Sequence, residues 1–468
     1  MKFSHGVPAS SFPIFDCLFG VVLLCYPALL FLIQGGMNGS IFLLTAFSLF
    51  LLARNKDTIN YFNKEYVVFG IAMSSGLVAV LISQLYHQDM TGRYFDSDAR
   101  FLLAIPILLA LRHLNEKVLF IMQYAFPLGA LAALIAVLLP HPSFKFLAEL
   151  VTTIITDPNA RYNASTSYIN HIHLGDLALM LACLSLFSLN WIQQDHLAIK
   201  LLKFAGFIAG LAVSILSGAR GGWIAIPVFV GIYIIFYTRG KLYNKIALSS
   251  LLLGVIGLAG YFSVEAIHQG LWSIYSDVTS FSAGNVDTSQ GGRLQLWKAA
   301  VYLIAENPLF GVGADGFKNA MDGLSASGFI TPYAASAGKG EVHNEILAHT
   351  VRHGIFGLFS ILAIYFIPFF LFLRATKSGN PQQIGAAIMG MCVTLGFFVF
   401  GLSVEIFNLK MTAAFYSLTV AVLLAATCKT SLKNGRAPHG NMEVPHATQA
   451  TYSDNIQSLL EKYHAKTK

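Results

Sequence analysis

The stretch EVHNEILAHTVRHGIFGLFSILAIYFIPFFLFLRATK, Glu341 to Lys377, decides the fold. From Ile355 to Leu373 it carries no charged residue, and its apolar side chains point to every side of a helix. A helix in a soluble domain keeps one polar face, so an all-round apolar helix of this length takes lipid as its solvent. At its head stands a polar pair, His343-Asn344, with Gly354 and Gly357 a few turns deeper.

The rest of the chain follows the same pattern. Of its 468 residues 55% are hydrophobic and 11% charged, and the mean hydropathy is +0.63. Soluble domains carry roughly 25% charged residues. By the criterion of roughly 20 apolar residues per crossing, the chain reads as an all-α polytopic membrane protein of about twelve spans. They lie near 13–34, 37–53, 66–86, 99–112, 117–139, 166–192, 200–217, 221–238, 246–264, 345–374, 384–406 and 410–427. The first run is too long for a signal-peptide core and lacks a small-residue cleavage site, so it is expected to be retained. The five cysteines form no CxxC pair and no metal spacing, which argues against a disulfide framework and a zinc site.

Alternate loops carry the basic residues: RNKDTINYFNKE, RHLNEK, TRGKLYNK and RATKSGNPQQ. Basic loops stay in the cytoplasm, so the net charge of +7 sets orientation and is no footprint of nucleic acid. Both termini are then cytoplasmic, and the opposite loops face the periplasm. The expected organisation is a transmembrane helical domain over 1–428 with a periplasmic loop over 265–343 between the ninth and tenth spans. A cytoplasmic tail over 429–468 ends in a short amphipathic helix, SDNIQSLLEKYH.

Three polar groups share the outer address. Arg220 sits in SGARGGW, Arg293 in SQGGRLQLW, and His343 opens the stretch quoted above. A lone arginine in a loop is usually a solvated or snorkelling charge, and a lone histidine is usually a structural hydrogen-bonder. Three such groups on one face, each near glycines in a charge-poor chain, point instead to function. Planar guanidinium forks suit phosphate oxygens, and a neutral imidazole suits a general base. Together they describe group transfer from a phosphate-bearing lipid.

Other motifs carry less. GVGADG, Gly311 to Gly316, matches a dinucleotide fingerprint but has no βαβ unit around it. Asp96 and Asp98 in FDSDAR lack a third acidic ligand nearby and read as caps or arginine partners. His349 and His353 stand at i, i+4, a metal-capable spacing that lacks a third ligand and reads as polar packing around Arg352. Asp176 and Glu405 fall within the expected spans and should face the bundle interior.

HNEILAHTVRHGIFG resembles the signature of bacterial O-antigen ligases: His-Asn, nine residues, then Gly354 and Gly357. NPLFGVGADGF, SGARGGWIAIP, FDSDARFLLAIPILLALR and RYNASTSYINHIHLGDLAL resemble further segments of the ligase and polymerase superfamily, in order. The resemblance implies a metal-independent, inverting glycosyltransferase of the membrane-embedded GT-C type that uses no cofactor. Its donor would be O-antigen on undecaprenyl diphosphate and its acceptor a sugar hydroxyl of lipid A-core, at the periplasmic face of the bacterial inner membrane. Carried over, Arg220 and Arg293 would bind the diphosphate and His343 would act as base. Arg100 and Arg161 would assist binding, and Asn344 would fix the imidazole tautomer or bind a sugar. Gly354 and Gly357 would allow close helix approach, and the ASAGKGE stretch would flex to admit the acceptor. His171 and His173 depart from the family pattern on the acceptor side. An O-antigen polymerase, a protein O-oligosaccharyltransferase and a lipid-linked glycan flippase are the competing readings.

Overall fold

The computed structural model describes residues 13–54, 64–138, 164–237 and 286–428, with scattered residues between 241 and 279. Arg161, the expected span at 246–264 and the tail over 429–468 lie outside the described residues or almost wholly so. Fifteen helices of five residues or more run through these segments: α1 Pro13–Leu32, α2 Gly36–Arg54, α3 Lys64–His87, α4 Asp98–Leu111, α5 Glu116–Phe120, α6 Met122–Leu138, α7 His171–Phe187, α8 Leu197–Ser217, α9 Ala225–Tyr237, α10 Ser289–Glu306, α11 Gly316–Ala326, α12 Pro332–Gly338, α13 Glu345–Ala375, α14 Pro381–Gly401 and α15 Lys410–Cys428. The described residues contain no strand.

Nine helical stretches among the described residues are long and apolar enough to cross a membrane, with α5 and α6 forming one of them. The protein is a multi-pass helical membrane protein. Helix α7, with 17 residues, is shorter than the span expected over 166–192, while α4, with 14, matches the short span expected there. The segment before α7 is a turn, where the Thr166 hydroxyl accepts from Ile169 N at 3.0 Å and Asn170 caps the helix. Side chains that bond their own backbone hold a turn against a helix, so the helix starts five residues later than expected.

Close packing follows the small residues. A Cβ on Gly129 of α6 would stand 2.6 Å from the Pro27 Cβ of α1, and one on Gly210 of α8 would stand 2.5 Å from the Ala178 carbonyl of α7. Small residues let membrane helices approach until their backbones nearly touch.

Connections between the described helices gather at two ends of the bundle. One end collects the turns after α3, α8 and α14 and the start of α13. The other collects Arg112, Arg374 and Lys377 around one cavity. At the first end, α10, α11 and α12 form a helical cap over the start of α13. The cap has a small core of its own, in which Leu296, Phe317 and Met321 pack with Val342, Ala348 and Val351. The stretch ASAGKGE, expected to be flexible, is therefore mostly part of α12.

Helix α13 is broken at Gly354, whose backbone (φ 61°, ψ −145°) is non-helical. The NPLFGVG segment, Asn307 to Gly313, docks into the break. Val312 N donates to Val351 O at 2.8 Å, Gly313 N to Arg352 O at 3.1 Å, and Ile355 N to Pro308 O at 2.9 Å. Ser83 of α3 adds its hydroxyl, shared between Phe310 O at 3.0 Å and Arg352 O at 3.1 Å. Interrupting a helix at membrane depth exposes carbonyls that lipid cannot satisfy, and this loop satisfies them. A Cβ on Gly354 would lie 2.2 Å from Leu309 O, and one on Gly357 2.0 Å from His349 O. The two signature glycines thus admit a loop and a folded-back turn rather than a neighbouring helix. GVGADG is accordingly a docking segment.

Candidate active site

His343 stands immediately before α13 with a left-handed backbone, φ 58°. Outside glycine and asparagine-like residues that conformation costs of order 1–3 kcal/mol and persists only where neighbours over-determine it. The neighbours here are three. Val342 N donates to Glu405 Oε1 at 2.5 Å, Asn344 Nδ2 donates to Leu402 O at 3.3 Å, and Phe407 N donates to Glu345 Oε2 at 2.9 Å. Residues 342–345 and 402–407 are thus buckled together on both sides of the imidazole.

Glu405 anchors the buckle. Its other oxygen takes a hydrogen bond from Arg352 Nη1 at 2.7 Å, and its backbone carbonyl lies 3.3 Å from His173 Nε2. Burial pushes its carboxyl above the usual range, against the pull of Arg352. Glu405 was expected within a span, but α14 stops at Gly401. The residue lies in the connection to α15, where its carboxylate can satisfy backbone donors that a helix would satisfy itself.

The imidazole faces Glu341. Nδ1 of His343 lies 2.5 Å from Glu341 Oε1, a close contact that is not aligned as a hydrogen bond. Burial works to raise the Glu341 carboxyl, but the adjacent His343 overrides it and holds the group below the usual carboxylate range. Asn344 was expected to orient the imidazole or meet a sugar. Its side chain is engaged instead as the cap of α13, accepting from Leu347 N at 3.0 Å while donating to Leu402 O.

Arg293 approaches through α10. Trp297, one turn further along that helix, donates from Nε1 to the His343 carbonyl at 3.3 Å, and the i, i+4 spacing puts both side chains on one face. Arg293 also interacts electrostatically with Asp176, which is wholly buried in α7. The Arg220 turn packs on the same groups. A Cβ on Gly222 would stand 2.0 Å from Asp176 Oδ1, and one on Gly221 2.6 Å from Ser403 Oγ. Only glycine leaves room for these approaches. Arg220, Arg293 and His343 therefore gather around Asp176 and residues 402–405, at one end of the bundle.

Arg100 does not join them. Its guanidinium turns toward α2, donating to Asn38 Oδ1 at 3.2 Å and to Asp96 O at 2.8 Å, with the Phe42 ring 4.8 Å away. The partner of the Asp96 carboxylate is Lys410, not an arginine. His173 is a buried structural group, with Nδ1 2.8 Å from Asn170 Oδ1. Sequence reasoning passed over Glu341, Trp297 and the anchoring by Glu405. Glu341 had a signal, since it stands two residues before His343 in a charge-poor chain.

A cavity of about 350 Å³ opens beside Glu341. It runs between the starts of α4, α13 and α15 and the cap, with Asp98, Glu345, His349 and Glu405 in its wall. His349 Nε2 is 3.0 Å from Glu345 Oε1, so this histidine packs with a carboxylate beside Arg352.

Two comparisons bear on identity. A relative from Haemophilus influenzae, described as an uncharacterized protein, is 28% identical over 315 residues, covering 66% of this chain and 74% of its own length. Residues 205–362 match the family model described as O-antigen ligase, a span that takes in Arg220, Arg293, His343, Gly354 and Gly357. By that match the chain resembles the O-antigen ligase family over the region that builds the site just described.

Proposed function

We propose that this protein transfers O-antigen glycan from undecaprenyl diphosphate to a sugar hydroxyl of lipid A-core at the periplasmic face of the inner membrane. The observation that carries this reading is the Glu341–His343 pair, with the helix of Arg293 docked onto His343 through Trp297.

The chemistry follows from the groups. Glu341 faces Nδ1 of His343, which favours the tautomer protonated there and leaves Nε2 to accept a proton. Nε2 takes the proton of the acceptor hydroxyl as its oxygen attacks the anomeric carbon. The bond from that carbon to the diphosphate oxygen breaks on the opposite face, so the configuration inverts. The leaving diphosphate carries the electron pair away, and Arg220 and Arg293 neutralise the charge that builds on it. The glycosyl phosphate bond of the donor supplies the driving force, and no nucleotide enters the step. Both substrates are lipids, so their headgroups meet only at the membrane boundary, where His343 stands.

The test is a deletion strain complemented with His343→Ala. The expected result is lipopolysaccharide ending at bare core, lipid-linked polymer accumulating, and variant protein at wild-type level in the membrane. A normal ladder overturns the proposal. Core bearing one repeat unit makes the protein a polymerase, and partial activity makes it a flippase.

A further inference from the structure

At the end of the bundle away from His343, a second cavity of about 440 Å³ opens between the start of α3 and the ends of α4, α13 and α15. Its volume falls within the roughly 300–1,000 Å³ of small-ligand sites. Three bases, Arg112, Arg374 and Lys377, line it against one carboxylate, Glu65. Each base has an ordinary reason to be near. Arg112 caps α4 and Arg374 stands in the last turn of α13, where the final carbonyls of a helix favour a cation. All three belong to the basic loops that set orientation. Neither reason asks three bases from separate segments to surround one concavity.

Arg374 and Lys377 are exposed, and neither side chain makes an ion pair among the described residues. Arg112 is half-buried and lies over the Tyr66 ring, 4.5 Å from its centroid, which holds the guanidinium at the cavity. Like charges gathered around one concavity repel, and a bound anion relieves that repulsion. Deeper along the same helices the surface turns apolar. Phe370 shares a face of α13 with Arg374 at i, i+4 and is 60% exposed. Val67 and Ile71, in the first two turns of α3, are exposed as well. A basic concavity at the helix ends, next to open apolar surface, matches a molecule with an anionic head and hydrocarbon tails. A free phosphate would meet the charges and leave the apolar surface bare.

We propose that this cavity seats the phosphate headgroup of an anionic membrane phospholipid, with its acyl chains lying along α13 beside Phe370. Basic pockets between membrane helices hold such headgroups by charge and by guanidinium forks to phosphate oxygens. The seat lies at the opposite end of α13 from His343 and takes neither substrate of the transfer reaction. The inference therefore stands or falls apart from that reading.

The full chain, purified in detergent, is examined by native mass spectrometry with dioleoyl phosphatidylglycerol, dioleoyl phosphatidylcholine and glycerol 3-phosphate as probes. Phosphatidylglycerol is expected to stay bound, phosphatidylcholine to bind about tenfold more weakly, and excess glycerol 3-phosphate to leave the bound lipid in place. A basic residue beside an anionic lipid contributes roughly fivefold. The double variant Arg374→Gln, Lys377→Gln should therefore bind phosphatidylglycerol about 25-fold more weakly. Both positions are exposed, so the fold does not depend on them. The double variant Lys298→Gln, Lys318→Gln makes the same charge change at exposed positions of the other end and should bind the lipid like wild type. Equal retention of the two lipids, or of neither, overturns the inference. So does an Arg374, Lys377 variant that binds like wild type, or an equal loss in the Lys298, Lys318 variant. Displacement by glycerol 3-phosphate makes this a site for a soluble phosphate and overturns the lipid assignment.

Discussion

His343 is held in a conformation its own side chain disfavours, with φ at 58°, and the residues around it explain why. Glu405, Glu345 and Asn344 fasten both flanking strands of chain, so the imidazole is presented rather than left to find its place. General-base groups contribute about 10²- to 10⁴-fold to rate. Glu341→Gln should therefore lower kcat more than it changes KM for donor, because it alters the imidazole and not the arginines. A matched fall in kcat with restored activity in Glu341→Asp would mark a positioning role. The pH dependence of stability follows from the depressed Glu341 carboxyl. A depressed folded value means stability that is present above the unfolded value, about 4.3, and lost as pH falls through the folded one. The melting-temperature gap between wild type and Glu341→Gln should be full at pH 6 to 7 and close only well into acid.

At the scale of elements, the broken helix α13 is the central device. Its interruption at Gly354 turns Arg352 toward Glu405 and lets the Asn307–Gly313 segment dock, which carries the cap toward the site. Gly354→Ala combines a forbidden backbone region with a contact of 2.2 Å to Leu309 O. It should cost about 3 kcal/mol or more, read as loss of folded protein in fluorescence-detected gel filtration. Ser83→Ala removes only a hydroxyl from two carbonyls of the break. It should cost about 1–2 kcal/mol and leave an assembled, less thermostable protein. Spans such as α1, α2 and α14 were legible because apolar runs are a local property of the chain. The starts and stops that matter most were not. The late start of α7 is set by side chains bonding backbone groups, Thr166 and Asn170, and past the early end of α14 the Glu405 carboxylate bonds Val342 N instead of lying in a helix. No hydropathy window registers such bonds.

For the whole molecule, one end gathers the buckled site and the other gathers Arg112, Arg374 and Lys377. The proposed topology, by the positive-inside rule, turns the site end toward the periplasm. In a cysteine-replaced background, Asp315→Cys should react with a membrane-impermeant maleimide in intact spheroplasts, and Lys377→Cys only after the membrane is opened. The reverse pattern would remove the periplasmic site and the proposed reaction with it.

The sequence alone determined that the chain is helical and lives in lipid, and it singled out Arg220, Arg293 and His343 as one group. Hydropathy and charge act locally, so they can be read without coordinates. Tertiary structure decided which groups meet. It set Glu341 and not Asn344 against the imidazole, turned Arg100 away toward α2, and brought Glu405 across 63 residues to Val342. It also matched Arg93 and Lys410 with carboxylates from distant segments. Such pairings depend on how whole helices pack, and helix packing in lipid is decided by small residues and shape rather than by any pattern along the chain.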